Sequence, residues 1–210
     1  MSRNLTHWQT EIGQTQTALI DYLFQSQLPS GEFLSQFRLT LEGNVWTPFS
    51  ESPFITANVL YAIKDVNLPQ AKEILGKGLR FLHNQMELGG FWRFWQHSPA
   101  VNCVPLDLDD TALCAYLLTQ YGGLKLNNRW ALYLNQNVRG GFYTWFLPRP
   151  QLVVSPRLLY RAMEDHYAVL PTVEKNMLAY EDVEPAVGAH ALLYLGENAW
   201  TKRNIRQITD

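Results

Sequence analysis

Three carboxylates stand almost side by side near the middle of the chain: Asp107, Asp109 and Asp110, in a stretch that reads DLDDTA. Carboxylates this close cannot all ionise freely, because like-charge repulsion and burial raise the pKa of at least one of them. A protonated acid near neutral pH is what general acid catalysis requires. The structural alternative is that acids at the start of a helix bind its free amides and offset its dipole, at about 0.3–1 kcal/mol each.

The elements that position these acids are predicted to be repeated helical hairpins. A pattern of Gln, three residues, Gly, one residue and Phe occurs three times, at 27–33, 85–91 and 136–142. Each copy follows a helical segment rich in Leu and aromatic residues, and its glycine is typical of a chain leaving a helix C-terminus. Repetition at this period predicts stacked supersecondary units.

A second set of helices lies between the repeats, with start signals at Ser52-Pro53, Ser155-Pro156 and Glu184-Pro185. Several of these helices are apolar nearly all round, which is typical of a helix buried on every side. We therefore expect one all-α domain over residues 1–210, an α/α toroid-like open or partial barrel of about four hairpins. The predicted helices cover residues 10–26, 52–64, 70–86, 108–121, 128–136, 155–167, 172–180 and 184–195.

The DLDDTA stretch resembles the D-x-D-D-T-A signature of class II terpene cyclases, in which an Asp protonates an alkene or epoxide to start cyclisation. The three repeats resemble the QW repeats of the terpene-cyclase and prenyltransferase superfamily, over about residues 15–196, with Phe where the repeat usually has Trp. A complete toroid of that family has about six hairpins and class II enzymes use two domains. The resemblance therefore leaves open an arc completed by a second toroid domain or a homodimer, or a lone binding module.

The resemblance implies that Asp109 is the proton donor and that Asp107 and Asp110 tune and orient it. His190 and His166 are candidate partners that reprotonate or polarise the acid, although a lone His on an apolar helix is more often a core residue. The helices 52–64, 108–121, 155–167 and 184–195 would line a common cavity.

Aromatic side chains are the expected walls of that cavity, since their π faces stabilise a carbocation. The alternative, which the recurrence of the rings with the repeat favours, is that the runs 91–95 and 142–146 plug one hairpin onto the next. The candidate substrate-binding residues are Trp46, Phe54, Trp92, Trp95, Tyr116 and Trp145.

Composition narrows the classes of partner. The net charge is −2 with no stripe of Lys and Arg, which argues against nucleic-acid binding. The sequence shows no signal peptide and no transmembrane stretch, and Cys103 and Cys114 fit a reduced, cytoplasmic protein. Peripheral membrane contact through exposed aromatic residues stays open. We expect no cofactor and no metal, because neither an Asp-x-Cys zinc motif nor a second Asp-rich magnesium motif occurs.

The leading hypothesis is thus an isoprenoid cyclase-like domain that converts a polyprenyl-type lipid. A non-catalytic binding or scaffold module of the same fold is the second. The third is a glycosidase of the α/α class, which would need a second acid at Asp182 or Glu184, because its two carboxyl groups stand about 5–9.5 Å apart.

Overall fold

The computed structural model describes residues 2–38, 46–49, 52–94, 105–160, 162–163 and 182–209. These residues are mainly helical, which confirms the all-α prediction. The elements are α1 (Ser2–Ser26), β1 (Ser35–Arg38), β2 (Trp46–Phe49), α2 (Pro53–Ile63), α3 (Pro69–Asn84), α4 (Leu108–Gln120), α5 (Arg129–Leu134), a 3-10 turn (Pro150–Val154), α6 (helical residues 156–160 and 162–163), α7 (Pro185–Leu195) and α8 (Lys202–Thr209).

Most predicted helices are found where the apolar spacing places them. Helices α2, α3, α4, α5 and α7 agree with the predicted bounds to within two residues, whereas α1 begins eight residues earlier than predicted. The two short antiparallel strands, the 3-10 turn and α8 were not predicted. The predicted helix 172–180 and the end of 155–167 lie outside the described residues.

Start signals in the sequence explain several of these helices. Ser52 caps α2, with its hydroxyl accepting from the Ile55 N–H at 3.5 Å and Pro53 in the first position. Glu184 and Pro185 open α7 as predicted, although the Glu184 side chain makes no cap hydrogen bond. Asp107 is the cap of α4, where its side chain accepts from the Asp109 N–H two residues on, so the first acid of the trio has a structural role as well.

Helix α4 lies at the centre of the described fold. It packs against α2, α3 and α7, while α1 packs on α3 and α8 on α7. Every residue from Leu108 to Leu118 is fully buried except Asp109 and Tyr116. The central position therefore goes to the helix that carries the acids, as its apolar composition predicts. None of the helices in the described residues is both long enough and apolar enough to cross a bilayer.

The first and third repeats form the same tight turn. The residue after the Gln donates its N–H to the carbonyl of the residue four positions later. The glycine of the repeat donates its N–H to the carbonyl of the residue after the Gln. These bonds are Leu28 to Glu32 and Gly31 to Leu28 in the first copy, and Asn137 to Gly141 and Gly140 to Asn137 in the third, all between 2.8 and 3.0 Å.

The second repeat makes this turn one residue later than the sequence pattern predicts. Its N–H bonds run from Glu87 to the Phe91 carbonyl (2.9 Å) and from Gly90 to the Glu87 carbonyl (3.0 Å). Trp92 therefore corresponds to Phe33 of the first copy. The prediction that Phe replaces Trp in every repeat is wrong for this copy, in which Gly89 and Gly90 both adopt positive φ. In the third copy, which also has two consecutive glycines, Gly140 does so and Gly141 does not.

Candidate active site

The three carboxylates lie within the first turn of α4. The Asp107 side chain accepts from the Asp109 N–H at 2.9 Å, and Asp109 Oδ1 accepts from the Asp110 N–H at 3.0 Å. One carboxylate oxygen of each residue lies within 4.8 Å of the others. The trio is therefore a single electrostatic unit, held by its own backbone amides at the positive end of a helix.

Burial differs sharply between the three acids. Asp110 is fully buried, and neither of its carboxylate oxygens has a hydrogen-bond partner. Burial, with the charge of Asp109 beside it, raises the pKa of Asp110 well above its usual range. Burial likewise raises the pKa of Asp107, and the charges of its two neighbours act in the same direction. Both side chains are thus held as neutral carboxylic acids to higher pH than an exposed Asp.

Asp109 is the acid with access to solvent, and His190 of α7 faces it. His190 Nδ1 lies 3.7 Å from Asp109 Oδ2, an ion pair when the imidazole is protonated, although too long for a direct hydrogen bond. The side chains are 24% and 16% exposed, respectively. Burial pushes the pKa of Asp109 upward, but the hydrogen bond with Asp107 and the proximity of His190 outweigh it and hold this pKa below its usual range.

Segments from two repeats fix the chain where it enters α4. The Asp107 N–H donates to the Trp92 carbonyl at 3.0 Å, and the Leu108 N–H donates to the Thr144 carbonyl at 2.8 Å. The hydroxyl of Thr111, the threonine of DLDDTA, accepts from the Trp92 N–H at 3.1 Å. The repeats therefore hold the acid turn in place, a link between the two motifs that the sequence does not reveal.

A comparison of the starts of α2 and α4 shows which residues of DLDDTA are needed for structure alone. In α2, Ser52 is the cap and Thr56, four residues on, accepts the Phe33 N–H at 3.1 Å. In α4, Asp107 and Thr111 occupy these two positions. The position of Asp109 is taken in α2 by a phenylalanine, Phe54. Capping and hairpin docking therefore need no acid at position 109.

Partly exposed aromatic side chains lie next to His190 and farther along the same helices. The Phe54 ring lies edge-on to the His190 ring, with centroids 6.1 Å apart, and 5.4 Å from the Phe94 ring. Tyr116 lies two turns along α4 on the same face as Asp109. It meets Tyr61 of α2 edge-on at 6.0 Å.

The structure thus brings together Asp109, His190 and Phe54 from the predicted site residues, whereas Tyr116 lies two turns farther along α4. Tyr61 and Phe94 are additional members of the site. The spacing of seven residues between Phe54 and Tyr61, matching that between Asp109 and Tyr116, is the signal that points to Tyr61.

Trp92 does not line this site. It is fully buried, and its indole N–H donates to the Leu82 carbonyl at 2.8 Å. The predicted substrate-binding role is therefore corrected: the ring has no accessible face, and it packs one hairpin onto the next. Trp145 pairs with Asp107 across a β-bridge, which puts the two side chains on one face. It is half-buried, and its buried indole N–H has no hydrogen-bond partner.

Three other predicted site residues are not placed by the described part of the chain. The backbone of Trp46 lies in β2, but its side chain is not described, and Trp95 and His166 lie outside the described residues. The spacing of the acid trio also suits a cation. Comparison of the chain with protein-family models, with curated proteins and with solved structures gives no match.

Proposed function

We propose that the chain is an isoprenoid cyclase-like domain, an α/α toroid-like arc that carries out acid-initiated (class II) cyclisation or isomerisation of a polyprenyl-type lipid. The observation that carries this proposal is the acid trio itself. Two of its members are buried with raised pKa values, and the third lies beside His190, whose ring contacts that of Phe54. The resemblance of DLDDTA and of the repeats to class II terpene cyclases points to the same chemistry.

The proposed proton donor is Asp109. A carboxylic acid is strong when its conjugate base is stabilised, and here the Asp110 N–H, the Asp107 carboxyl and a protonated His190 would all stabilise the Asp109 carboxylate. Because the pKa of Asp109 is held below its usual range, this carboxylate first takes a proton from the protonated His190 ring. Transfer then breaks the new Asp109 O–H bond and forms a C–H bond on the alkene, leaving a carbocation on the lipid. The cation is quenched by loss of a proton or by water, so no redox partner is needed.

The proposed role of the aromatic rings is to stabilise the carbocation. The Phe54 ring lies beside His190, and Tyr61 and Tyr116 lie about two turns farther along their helices. The π face of such a ring stabilises a cation by about 0.5–2 kcal/mol. The neutral carboxyls of Asp107 and Asp110 keep a second negative charge away from Asp109, and His190 is the group placed to return its proton. The proposed chemistry thus gives each of these residues a role, whereas core packing alone would not explain why they lie together.

The trio does not by itself supply the two acids of the glycosidase alternative, which still needs a second acid at Asp182 or Glu184. The oxygens of the trio lie within 4.8 Å of one another on a single helical turn. Two acids that straddle a sugar need about 5–9.5 Å between carboxyl groups on opposite sides of the bond. The trio alone therefore cannot flank a glycosidic bond.

The test is incubation of the full chain with a panel of polyprenyl alkenes, epoxides and alcohols, read by mass spectrometry. Asp109→Asn keeps the shape of the side chain and removes the proton, so we expect loss of product by at least about 100-fold. Asp107→Ser is the matched control, because Ser52 already serves as the cap of α2. It should keep the fold and part of the activity.

Two outcomes would overturn the proposal. The first is full turnover by the Asp109→Asn variant with an unchanged circular dichroism spectrum. The second is a wild-type chain that binds these lipids, seen by quenching of its tryptophan fluorescence, yet converts none of them. That result identifies the non-catalytic binding module.

A further inference from the structure

Helix α1 carries an apolar stripe that the described fold leaves uncovered. Trp8, Ile12, Leu19 and Tyr22 are 60%, 66%, 54% and 66% exposed. At 100° per residue they fall within an arc about 80° wide. All residues from 7 to 19 are exposed, so this half of α1 stands away from the described body. A helical segment of this length without a packing partner is only marginally stable in water.

The stripe is distinct from the face by which α1 joins the core. Ile20 is buried and Phe24 packs against the core, both from positions rotated away from the stripe, whereas Leu23, which also packs on the core, borders the stripe. The C-terminal half of α1 therefore has two apolar faces, of which one is covered. The exposed residues, with Thr15 between them, alternate at spacings of four and three, which is the a/d pattern of a coiled coil.

We propose that this stripe pairs with the same stripe of a second copy of the chain. Homotypic two-fold dimers are the commonest assemblies of soluble proteins, and they require a surface without like-charge conflict. The positions that flank the stripe are Gln9, Glu11, Gln16, Ala18 and Gln25, with one charge among them. Glu11 would meet a neutral neighbour in the partner helix, so two copies fit without repulsion.

The charge of α1 distinguishes a second copy from a membrane surface. Helices that lie on membranes usually carry Lys and Arg on the polar face. Residues 7–26 contain neither, and apart from His7, Glu11 and Asp21 their polar side chains are those of Gln, Thr and Ser. The area is also sufficient: four large side chains per copy bury on the order of 1,000 Å² in total when two stripes meet, close to the lower limit of stable interfaces.

The test is light scattering on the purified full chain across a dilution series. We expect a mass twice the 24.2 kDa of one chain that falls to one chain on dilution. The double substitution Ile12→Glu with Leu19→Glu places charges inside the seam and should weaken association at least 100-fold. Gln14→Glu with Thr17→Glu adds the same charge on the other side of α1 and should leave the dimer intact.

A wild-type chain that stays monomeric up to about 100 µM would contradict the proposal whatever the variants do. A dimer with a Kd of about 1–10 µM would be largely associated at that concentration. So would a dimer that survives both seam substitutions. A monomer that floats with neutral phosphatidylcholine vesicles, and loses this on the seam substitutions, would assign the stripe to a lipid surface instead. Circular dichroism shows whether each variant keeps its helices.

Discussion

Asp110 is the residue whose position packing alone does not explain. A fully buried carboxyl group with two unpartnered oxygens costs about 1–3 kcal/mol in lost hydrogen bonds, and more when it is charged. The corresponding position in α2 holds Ile55, which shows that the hairpin accepts an apolar side chain there. Proteins keep such unfavourable groups at functional sites, where stability is given up for chemistry.

The first prediction concerns the stability of Asp110→Asn. Because burial raises the pKa of Asp110 in the folded state, the native protein binds more protons than the unfolded chain above about pH 4. Stability therefore falls as the pH rises through this window and stays reduced above the folded pKa. The variant should be more stable than wild type at pH 7, by roughly 1–3 kcal/mol, and the gain should shrink toward pH 4.

Urea unfolding at several pH values measures this difference. Asp65→Asn is the control, since that side chain is largely exposed and its substitution should change stability by no more than about 0.5 kcal/mol. Equal effects of the two substitutions at pH 7, or a gain that grows toward acid, would show that Asp110 is not held neutral by burial.

At the residue scale, the sequence predicted the acids better than the aromatic residues. The trio can be recognised in the sequence because three acids interrupt an apolar helix. His190 can be recognised because it is a polar residue in the otherwise apolar helix α7. Trp92 was misplaced, since composition shows that a ring is bulky but not which way it faces. The contact between His190 and Asp109 depends on α7 packing directly against α4, a long-range pairing that no local pattern encodes.

At the scale of the element, helix bounds followed from local rules and turn register did not. The caps Ser52 and Glu184, each followed by proline, fix the starts of α2 and α7. The strands β1 and β2 were missed because each has only four residues, and Pro48 argues against a strand. The turn of the second repeat was displaced because Gly89 and Gly90 both adopt positive φ.

The repeat turns lead to the second prediction, for Gly31→Ala. Gly31 has a φ of 97°, and a Cβ there would lie 2.3 Å from the carbonyl oxygen of Lys77 in α3. The substitution adds backbone strain of about 1–2 kcal/mol to a clash with a helix backbone that cannot move aside cheaply. We expect a loss of about 2–4 kcal/mol in the free energy of unfolding, measured in urea.

Gly122→Ala separates the two contributions. Gly122 has a φ of 71° with nothing within 4 Å of the added carbon, so only the strain should remain, at about 1 kcal/mol. If both substitutions lower the free energy of unfolding by the same amount, the turn of the first repeat does not contact α3 closely. The packing of the first repeat on the next hairpin would then differ from the one described.

At the scale of the whole molecule, stability is distributed unevenly along the chain. Helix α4 is enclosed by α2, α3 and α7, and its entry is tied to the second and third repeats through Trp92 and Thr144. The first half of α1 has no comparable contacts in the described fold. A central helix enclosed in this way opens only with global unfolding, whereas an uncovered helix exchanges its amides by local fraying.

Hydrogen exchange measured by mass spectrometry tests this gradient, and the dimer with it. Peptides from α4 should be the slowest to exchange, in the wild type and in the Ile12→Glu, Leu19→Glu variant alike. Peptides covering residues 7–19 should be protected in the wild type at dimer-forming concentration and exchange at least about tenfold faster in the variant, because the seam is their remaining source of burial. Equal exchange of these peptides in both proteins would mean that another surface covers α1. Rapid exchange throughout α4 would remove the enclosed acid site on which the proposed chemistry depends.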